Sequence, residues 1–507
     1  MSQSDASEIN RRRFLEKAAG AAAAFTILPR HVLGGPQFVA PSDKINLAYI
    51  GVGTQGIREL MELLPSDDVQ VVAVCDPNKD GHDYVDWSKN GLRNGIRQFL
   101  DKPTWREGAD GIPGGREVGR EIVESYYAAK RPSGSYKGCA AYADFRELLE
   151  KQSIDGVKIM TPDHQHATIS IAAMKKGKHV MMHKPIANRL YEARQVIETA
   201  HTAKVATHFI PWDSNGSMDP IMAWIKDGSI GTLREVHNWS NRPVWPQYLT
   251  LPTDQPPVPE GFDWDLWLGP ALERPYHPNY THNVFRGWYD FGGGSIADMG
   301  HYSLWVVFRT LKLGAPVSVE ARPSTACMIV DHVSHQIHND YSFPLASTVR
   351  FKFAAREDMG PLEVFWYDGG MRPRTPEELE ADNQELEAEG MMFVGDRGKI
   401  LTGFSLENPR LVPEKKMSEY QGPKPEAAPE QRDPLKGVKQ WVAACRGGQT
   451  SPADFQYAGP ISEAFNLAAV ALRVRRRIDY DSASMTITNI PEANKYLRRE
   501  YRKGWEL

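Results

Sequence analysis

Lys44-Ile45-Asn46-Leu47-Ala48-Tyr49-Ile50 runs directly into Gly51-Val52-Gly53-Thr54-Gln55-Gly56, and the reading of this stretch decides the fold. The first seven residues form a short, β-rich apolar run, as a buried strand does. The next six fit G-x-G-x-x-G, and residues 57–64 continue at helical spacing. A second apolar strand, 69–75, ends in Asp76. Each part has a physical role. Gly51 makes the tight turn, Gly53 admits a pyrophosphate close to the backbone, and Gly56 lets the helix pack on the strand. The helix N-terminus, with Thr54 and Gln55, receives the anion. Asp76, about 20 residues past Gly56, is placed to bind ribose hydroxyls and repel a 2′-phosphate. The expected cofactor is therefore NAD, with NADP disfavoured.

An α/β rhythm extends from this unit to residue 210. Residues 80–138 interrupt it with a Gly-rich, polar stretch that reads as an insertion. Strands then end in Thr161-Pro162-Asp163-His164-Gln165-His166 and in His183-Lys184-Pro185. In a doubly wound sheet ligands bind beyond the carboxyl ends of the strands. Thr161, Pro162, His164, His166, His183 and Lys184 are accordingly expected at the cofactor edge, with Gly51–Gly56 and Asp76. Beyond residue 211 come loops, aromatic clusters and one helix, then alternating runs such as Ser347–Phe353 that read as sheet strands. Residues 379–389 read as an exposed helix or loop, and 414–435 as a Pro- and charge-rich linker. The organisation expected is a segment 1–40, a Rossmann domain 44–210, and a C-terminal domain 211–507.

The chain has 507 residues, 60 Lys plus Arg against 64 Asp plus Glu, and a formal charge of −4. This balance argues against a general nucleic-acid or anionic-membrane binder, which needs a basic surface. Cys75, Cys139, Cys327 and Cys445 are far apart with no CxxC spacing, so neither a disulfide framework nor structural zinc is expected. His332, His335 and His338 read as a polar loop rather than ligands, and no metal site is expected. The 13 Trp include Trp239, Trp245, Trp264 and Trp267, for which core packing is the better reading than sugar stacking. Residues 1–40 carry Arg11-Arg12-Arg13-Phe14-Leu15, an Ala-rich apolar run too short to span a bilayer, and Pro29. They are similar to a twin-arginine signal. Export to the periplasm is expected, with no membrane span in the body.

The fingerprint, TPDHQHA, GKHVMMHKP, the WDLWLGP at 264–270 and the GGGSIADMGH at 292–301 together resemble the Gfo/Idh/MocA (glucose–fructose oxidoreductase/inositol dehydrogenase) family. The resemblance implies an α/β protein: a Rossmann domain plus a C-terminal α/β domain with a large, mostly antiparallel open sheet. That sheet would carry the substrate site and the contacts of a homodimer or homotetramer. The family's Glu-Lys-Pro is His183-Lys184-Pro185 here, which makes Lys184 the first catalytic candidate and leaves its counter-charge open. The family often places Asp and, four residues on, His on a helix after the Gly-rich turn. Here Asp298 is followed by His301 at i+3 and Tyr302 at i+4, both able to share its helix face. His301 is the preferred acid/base, with Tyr302 next. His282, Asn283 and Arg286 are substrate candidates.

The leading expectation is an NAD-dependent oxidoreductase acting on a carbohydrate or polyol hydroxyl, with tightly bound cofactor and a Lys/His proton relay. The alternative is an NAD-dependent glycosidase, lyase or epimerase that oxidises sugar C3 transiently. The third is a non-catalytic sugar-binding relic of the fold.

Overall fold

The computed structural model describes residues 43–210, 217–356, 359–422 and 433–507. The expected signal at 1–40 lies outside them. Six parallel strands form the first sheet: β1 (Ile45–Ile50), β2 (Val69–Cys75), β3 (Ala140–Tyr142), β4 (Gly156–Ile159), β5 (His179–His183) and β6 (Thr207–Ile210). Their order is β3-β2-β1-β4-β5-β6, the doubly wound arrangement. Alternate residues of β1 feed two cores. Ala48 and Ile50 pack in one, and Ile45, Leu47 and Tyr49 in the other. Both faces are covered, which is why the strand reads as a continuous apolar run rather than an alternating one.

The stretch expected as one insertion divides in two. The helix Arg116–Ala129 lies between β2 and β3 and buries Val118, Ile122 and Val123. It is the crossover helix of the Rossmann unit, so only residues 77–115 are additional. Within them the helix Gly91–Leu100 buries Leu92, Ile96 and Leu100 at a spacing of four.

The second sheet contains β7 (Leu233–Trp239), β8 (Ser318–Pro323), β11 (Ser347–Phe353), β12 (Leu362–Asp368), β13 (Gly390–Gly395), β14 (Lys399–Thr402), β15 (Arg410–Val412), β16 (Ile478–Asp481) and β17 (Thr486–Ile487). Their order is β15-β14-β13-β7-β12-β11-β8-β16-β17. Only the β7–β12 pair is parallel. A separate hairpin, β9 (Cys327–Val330) with β10 (Val333–Gln336), is exposed throughout and carries His335. No metal-binding cluster occurs among the described residues. Residues 217–330 hold the helices Asp219–Lys226, Trp264–Leu268 and His301–Thr310, where a single helix was expected. In the stretch 379–389 a short helix, Glu377–Ala381, buries Leu379, and Leu386 is buried beyond it.

The two sheets share later elements. The helix Lys436–Cys445 returns to the first sheet, where Trp441 is fully buried against Gly156 and beside Leu47 and Val71. The helix Phe455–Val474 buries Ile461, Ala464, Phe465 and Ala468 in the core that spans both sheets. All four cysteines are free. No helix among the described residues is long and apolar enough to cross a membrane.

Candidate active site

A cleft of about 430 Å³ runs from the glycine loop to the C-terminal sheet. At one end Gly51 has φ +97°, and a Cβ there would stand 2.5 Å from the Met160 carbonyl carbon. A Cβ on Gly56 would stand 2.3 Å from Gly51 O. Only glycine permits this turn and this close packing. The helix Thr54–Leu63 begins with no side-chain cap and no acid in its first turn, so its free N–H groups and dipole face the cleft. Asp76 is buried and accepts from Val52 N at 2.7 Å and Asn78 N at 2.8 Å. Burial pushes its carboxyl up, and these donors and nearby His282 oppose the shift. A carboxylate has lone pairs left for ribose hydroxyls. Thr161 Oγ1 is buried at the cleft wall with no hydrogen-bond partner among the described residues. The cradle and its donors fit a dinucleotide.

At the other end stand the chemical groups. Lys184, at the end of β5, donates from Nζ to Asp298 Oδ1 at 2.5 Å. Arg286 Nε donates to the same oxygen at 3.0 Å, and its Nη1 to Asn283 Oδ1 at 2.7 Å. Burial lowers the Lys184 pKa; Asp298 works against this and Arg286 with it. Burial also opposes charge on Asp298, but Lys184 and Arg286 outweigh it and hold that carboxyl well below its usual range. Asp298 therefore supplies the counter-charge that the missing Glu leaves open. Tyr302 shares the cleft; its hydroxyl lies 3.3 Å from His183 Nε2. Burial, reinforced by Lys184, keeps His183 neutral by driving its pKa well down.

His301 stands apart from this group. It is fully buried, with Nδ1 donating to Ala297 O at 2.8 Å and its ring between Phe209 and Phe465. Burial drives its pKa down to about 3. The reason is local geometry. Ile296–Gly300 is a π-helical turn leading into the helix His301–Thr310. From it, Asp298 and Tyr302 face the cleft, and His301 faces the core. His301, expected beside Lys184, is therefore not in the cleft that Lys184, Asp298 and Tyr302 share.

His164 and His166 also face inward rather than toward a cofactor. His164 meets the carbonyls of Trp267 at 3.0 Å and Phe291 at 3.3 Å, and burial takes its pKa to about 3. His166 meets Pro185 O at 2.5 Å and Thr161 O at 2.9 Å, tying two strand-end loops together. Their neighbours Asp163 and Gln165 line the cleft instead, with Thr161 and Pro162. Asp163 Oδ2 accepts from Gly293 N at 3.0 Å, and burial raises its carboxyl. His282 lines the cleft away from Lys184. Its Nε2 lies 3.2 Å from Asp83, and its ring centre lies 4.0 Å from that of Tyr84.

Tyr84 belongs to a strap that sequence reading leaves without a role. A Cβ on Gly53 would stand 3.3 Å from the Tyr84 ring. Arg58, on the glycine-loop helix, pairs with both Asp86 oxygens at 2.6 and 2.7 Å. Lys79 N donates to Gly261 O and Asp263 N to Pro77 O. Residues 77–87 thus fasten the dinucleotide loop to the C-terminal domain. Trp87, Arg242, Phe404 and Ser405 complete the wall, and no local motif announces them. Trp239, Trp245 and Trp267 are buried; Trp264 stacks on Trp267 with ring centres 4.9 Å apart.

The description "Oxidoreductase family, NAD-binding Rossmann fold" matches residues 120–209, and "Oxidoreductase family, C-terminal alpha/beta domain" matches 223–341. Both are domain descriptions of the Gfo/Idh/MocA oxidoreductase family, and together they match less than half of the chain. The glycine loop of this chain lies outside the match, separated from it by the insertion. A family-109 glycosyl hydrolase protein of Shewanella baltica is 27% identical over 208 residues, 38% of this chain and 37% of that one. One of Stenotrophomonas maltophilia is 31% identical over 169 residues, 33% of this chain and 28% of that one. The chain thus spans about a third of the length of these curated relatives. The WlbA dehydrogenase of Chromobacterium violaceum, solved with NADH and UDP-GlcNAcA, is 16% identical with a TM-score of 0.52. That likeness covers 88% of this chain and 98% of the other, and shows the shared fold.

Proposed function

We propose that this protein oxidises a carbohydrate or polyol hydroxyl using a tightly held NAD, with Lys184 handling the hydroxyl proton. The observation that carries the reading is the buried Lys184–Asp298 pair, 2.5 Å apart in the cleft that begins at the glycine loop. When bound, NAD supplies the hydride acceptor. The chain supplies position and proton transfer. Burial and Arg286 push Lys184 toward its neutral amine, which takes a proton from a substrate hydroxyl at Nζ. Asp298, held ionised, fixes that nitrogen and stabilises the ammonium that results. Arg286 is itself fixed by Asp298 and Asn283 and can donate to a second substrate oxygen. Tyr302 offers a hydroxyl beside neutral His183, a route along which the proton leaves. The Asp76 carboxylate favours NAD over NADP, because a 2′-phosphate would meet a second anion.

A second reading, an NAD-dependent glycosidase with transient oxidation at C3, draws support from the family-109 relatives and from the strap over the glycine loop. A retained dinucleotide suits a cycle that ends redox-neutral. It also suits the proposed twin-arginine export, since a periplasm has no replenished NAD pool. Fractionation of cells carrying Arg11→Lys with Arg12→Lys tests export, and light scattering tests the proposed homodimer or homotetramer.

Mass spectrometry of the purified, denatured protein reveals co-purified dinucleotide, and a scan of glycosides without added NAD reveals the closed cycle. Stoichiometric NAD with glycoside turnover supports the glycosidase. An empty protein that reduces added NAD with a free sugar supports an ordinary dehydrogenase. Lys184→Ala abolishes turnover under either reading while sparing NAD content. Unchanged turnover refutes the role given to Lys184; sugar binding with no turnover in the unaltered protein supports the sugar-binding relic instead.

A further inference from the structure

One cation of the cleft makes no ion pair of its own among the described residues. Arg242 follows β7 and lines the cleft close enough to Asp298 to help hold it ionised. Its Nη1 donates to Asn241 Oδ1 at 2.8 Å. Its Nε is buried with no hydrogen-bond partner, and it forms no ion pair among the described residues. The neighbouring cations are matched. Arg58 holds Asp86, while Lys184 and Arg286 share Asp298. A buried guanidinium donor left unpaired is unfavourable, so the arrangement fits an acceptor that arrives with a ligand.

Across the cleft mouth stands Trp87, from the strap. The residue is 62% exposed, and the Arg242 guanidinium carbon lies 5.9 Å from its ring centre. An open indole face suits the C–H face of a pyranose, and a guanidinium fork beside it suits a carboxylate. We propose that Trp87 and Arg242 form a specificity subsite for an acidic sugar, a uronate-type ring whose carboxylate meets Arg242. The inference rests on the proposed action on a carbohydrate, but it is read by binding rather than turnover. An inactive protein therefore tests it equally well. The dinucleotide pyrophosphate carries similar anionic chemistry, and the experiment separates the two sources.

The NAD-loaded protein and its Arg242→Gln variant are titrated calorimetrically with methyl glucuronide and methyl glucoside, after bound dinucleotide is measured in each. The native protein binds the uronide more tightly, and Arg242→Gln reduces that preference by about ten-fold or more, the loss expected of one charge-assisted hydrogen bond. Trp87→Ala weakens both ligands. Equal affinity for the two sugars in the native protein overturns the proposal. So does loss of bound dinucleotide from Arg242→Gln, which would assign the arginine to the pyrophosphate. If Arg242→Gln fails to fold, Arg242→Lys keeps the charge and loses the fork; an undiminished preference there also overturns it.

Discussion

Replacing Asp298 with Asn removes the charge at the centre of the site and keeps its shape. Lys184 and Asp298 side chains are only 3% and 12% exposed. At an effective dielectric of about 20, two unit charges 2.5 Å apart attract by about 7 kcal/mol, an upper bound because desolvation of both opposes it. Without that anion, Lys184 keeps the repulsion of Arg286 and only the weaker, opposing influence of Asp163. Its pKa, already lowered by burial, falls further once the attraction of Asp298 is gone. A lysine with a lower pKa folded than unfolded binds fewer protons when folded. Stability therefore rises with pH between the folded pKa and the unfolded value near 10.5, and is weakest below that window. In Asp298→Asn the window widens downward. The variant is about 3–5 kcal/mol less stable below the window, the cost of an uncompensated buried charge, and the deficit shrinks as pH rises. Two assays read this without a substrate. Amine labelling of Lys184 followed by peptide mass spectrometry gives its midpoint with pH, and thermal melts give stability with pH. A labelling midpoint that stays in place or moves up refutes the argument.

Three further perturbations separate roles that the geometry assigns. His301→Phe leaves turnover intact and costs about 1 kcal/mol, one lost hydrogen bond, because the ring lies among Phe209 and Phe465; a collapse of kcat with normal melting would return His301 to the chemistry. Arg58→Ala releases Asp86, whose side chain is 1% exposed, and raises the dissociation rate of bound dinucleotide by about ten-fold or more. An unchanged rate, measured by dilution into labelled NAD, would show that the strap retains nothing. Trp441→Ala empties a fully buried site between the last third of the chain and the first sheet and costs about 3–5 kcal/mol in denaturant unfolding; a cost below about 1 kcal/mol would contradict that packing.

How much of this was legible depended on where the deciding contacts lie along the chain. The first sheet was legible because each signal is local: an apolar strand, a glycine turn, a helix start and an acid within about 30 residues. The helix Arg116–Ala129 was not. Val118, Ile122 and Val123 sit among Arg116, Glu117, Arg120 and Glu121, so its apolar stripe is thin in a polar surrounding. The helix Lys436–Cys445 has an ordinary amphipathic pattern, and nothing in that pattern says which sheet it covers. Gly156 says it in the structure, since a Cβ there would stand 2.9 Å from the Trp441 ring.

The site divides along the same line. Lys184, Asp298, Asn283 and Arg286 were reachable because each lies at a strand end or beside the glycine turn. The choice between His301 and Tyr302 was not settled by spacing, since i+3 and i+4 share a helix face equally well. Which of the two reaches the cleft depends on the π-helical turn Ile296–Gly300 and on Phe465, which packs on the His301 ring from far downstream. His164 and His166 show the same limit. A strand end brings a loop to the cleft, yet the turn Asp163–Gln165 sends Asp163 and Gln165 toward it and His164 toward Trp267 and Phe291. Arg242 and Trp87 are the extreme case. They lie far apart in the sequence, neither sits in a motif, and what marks them is a shortage: a guanidinium in a cleft where the neighbouring carboxylates of the chemical end are already engaged. Such a shortage is invisible to composition, which counts charges without pairing them. It appears only when the partners of each buried charge are followed one by one, and it is therefore the feature of this cleft most directly tied to what the ligand must bring.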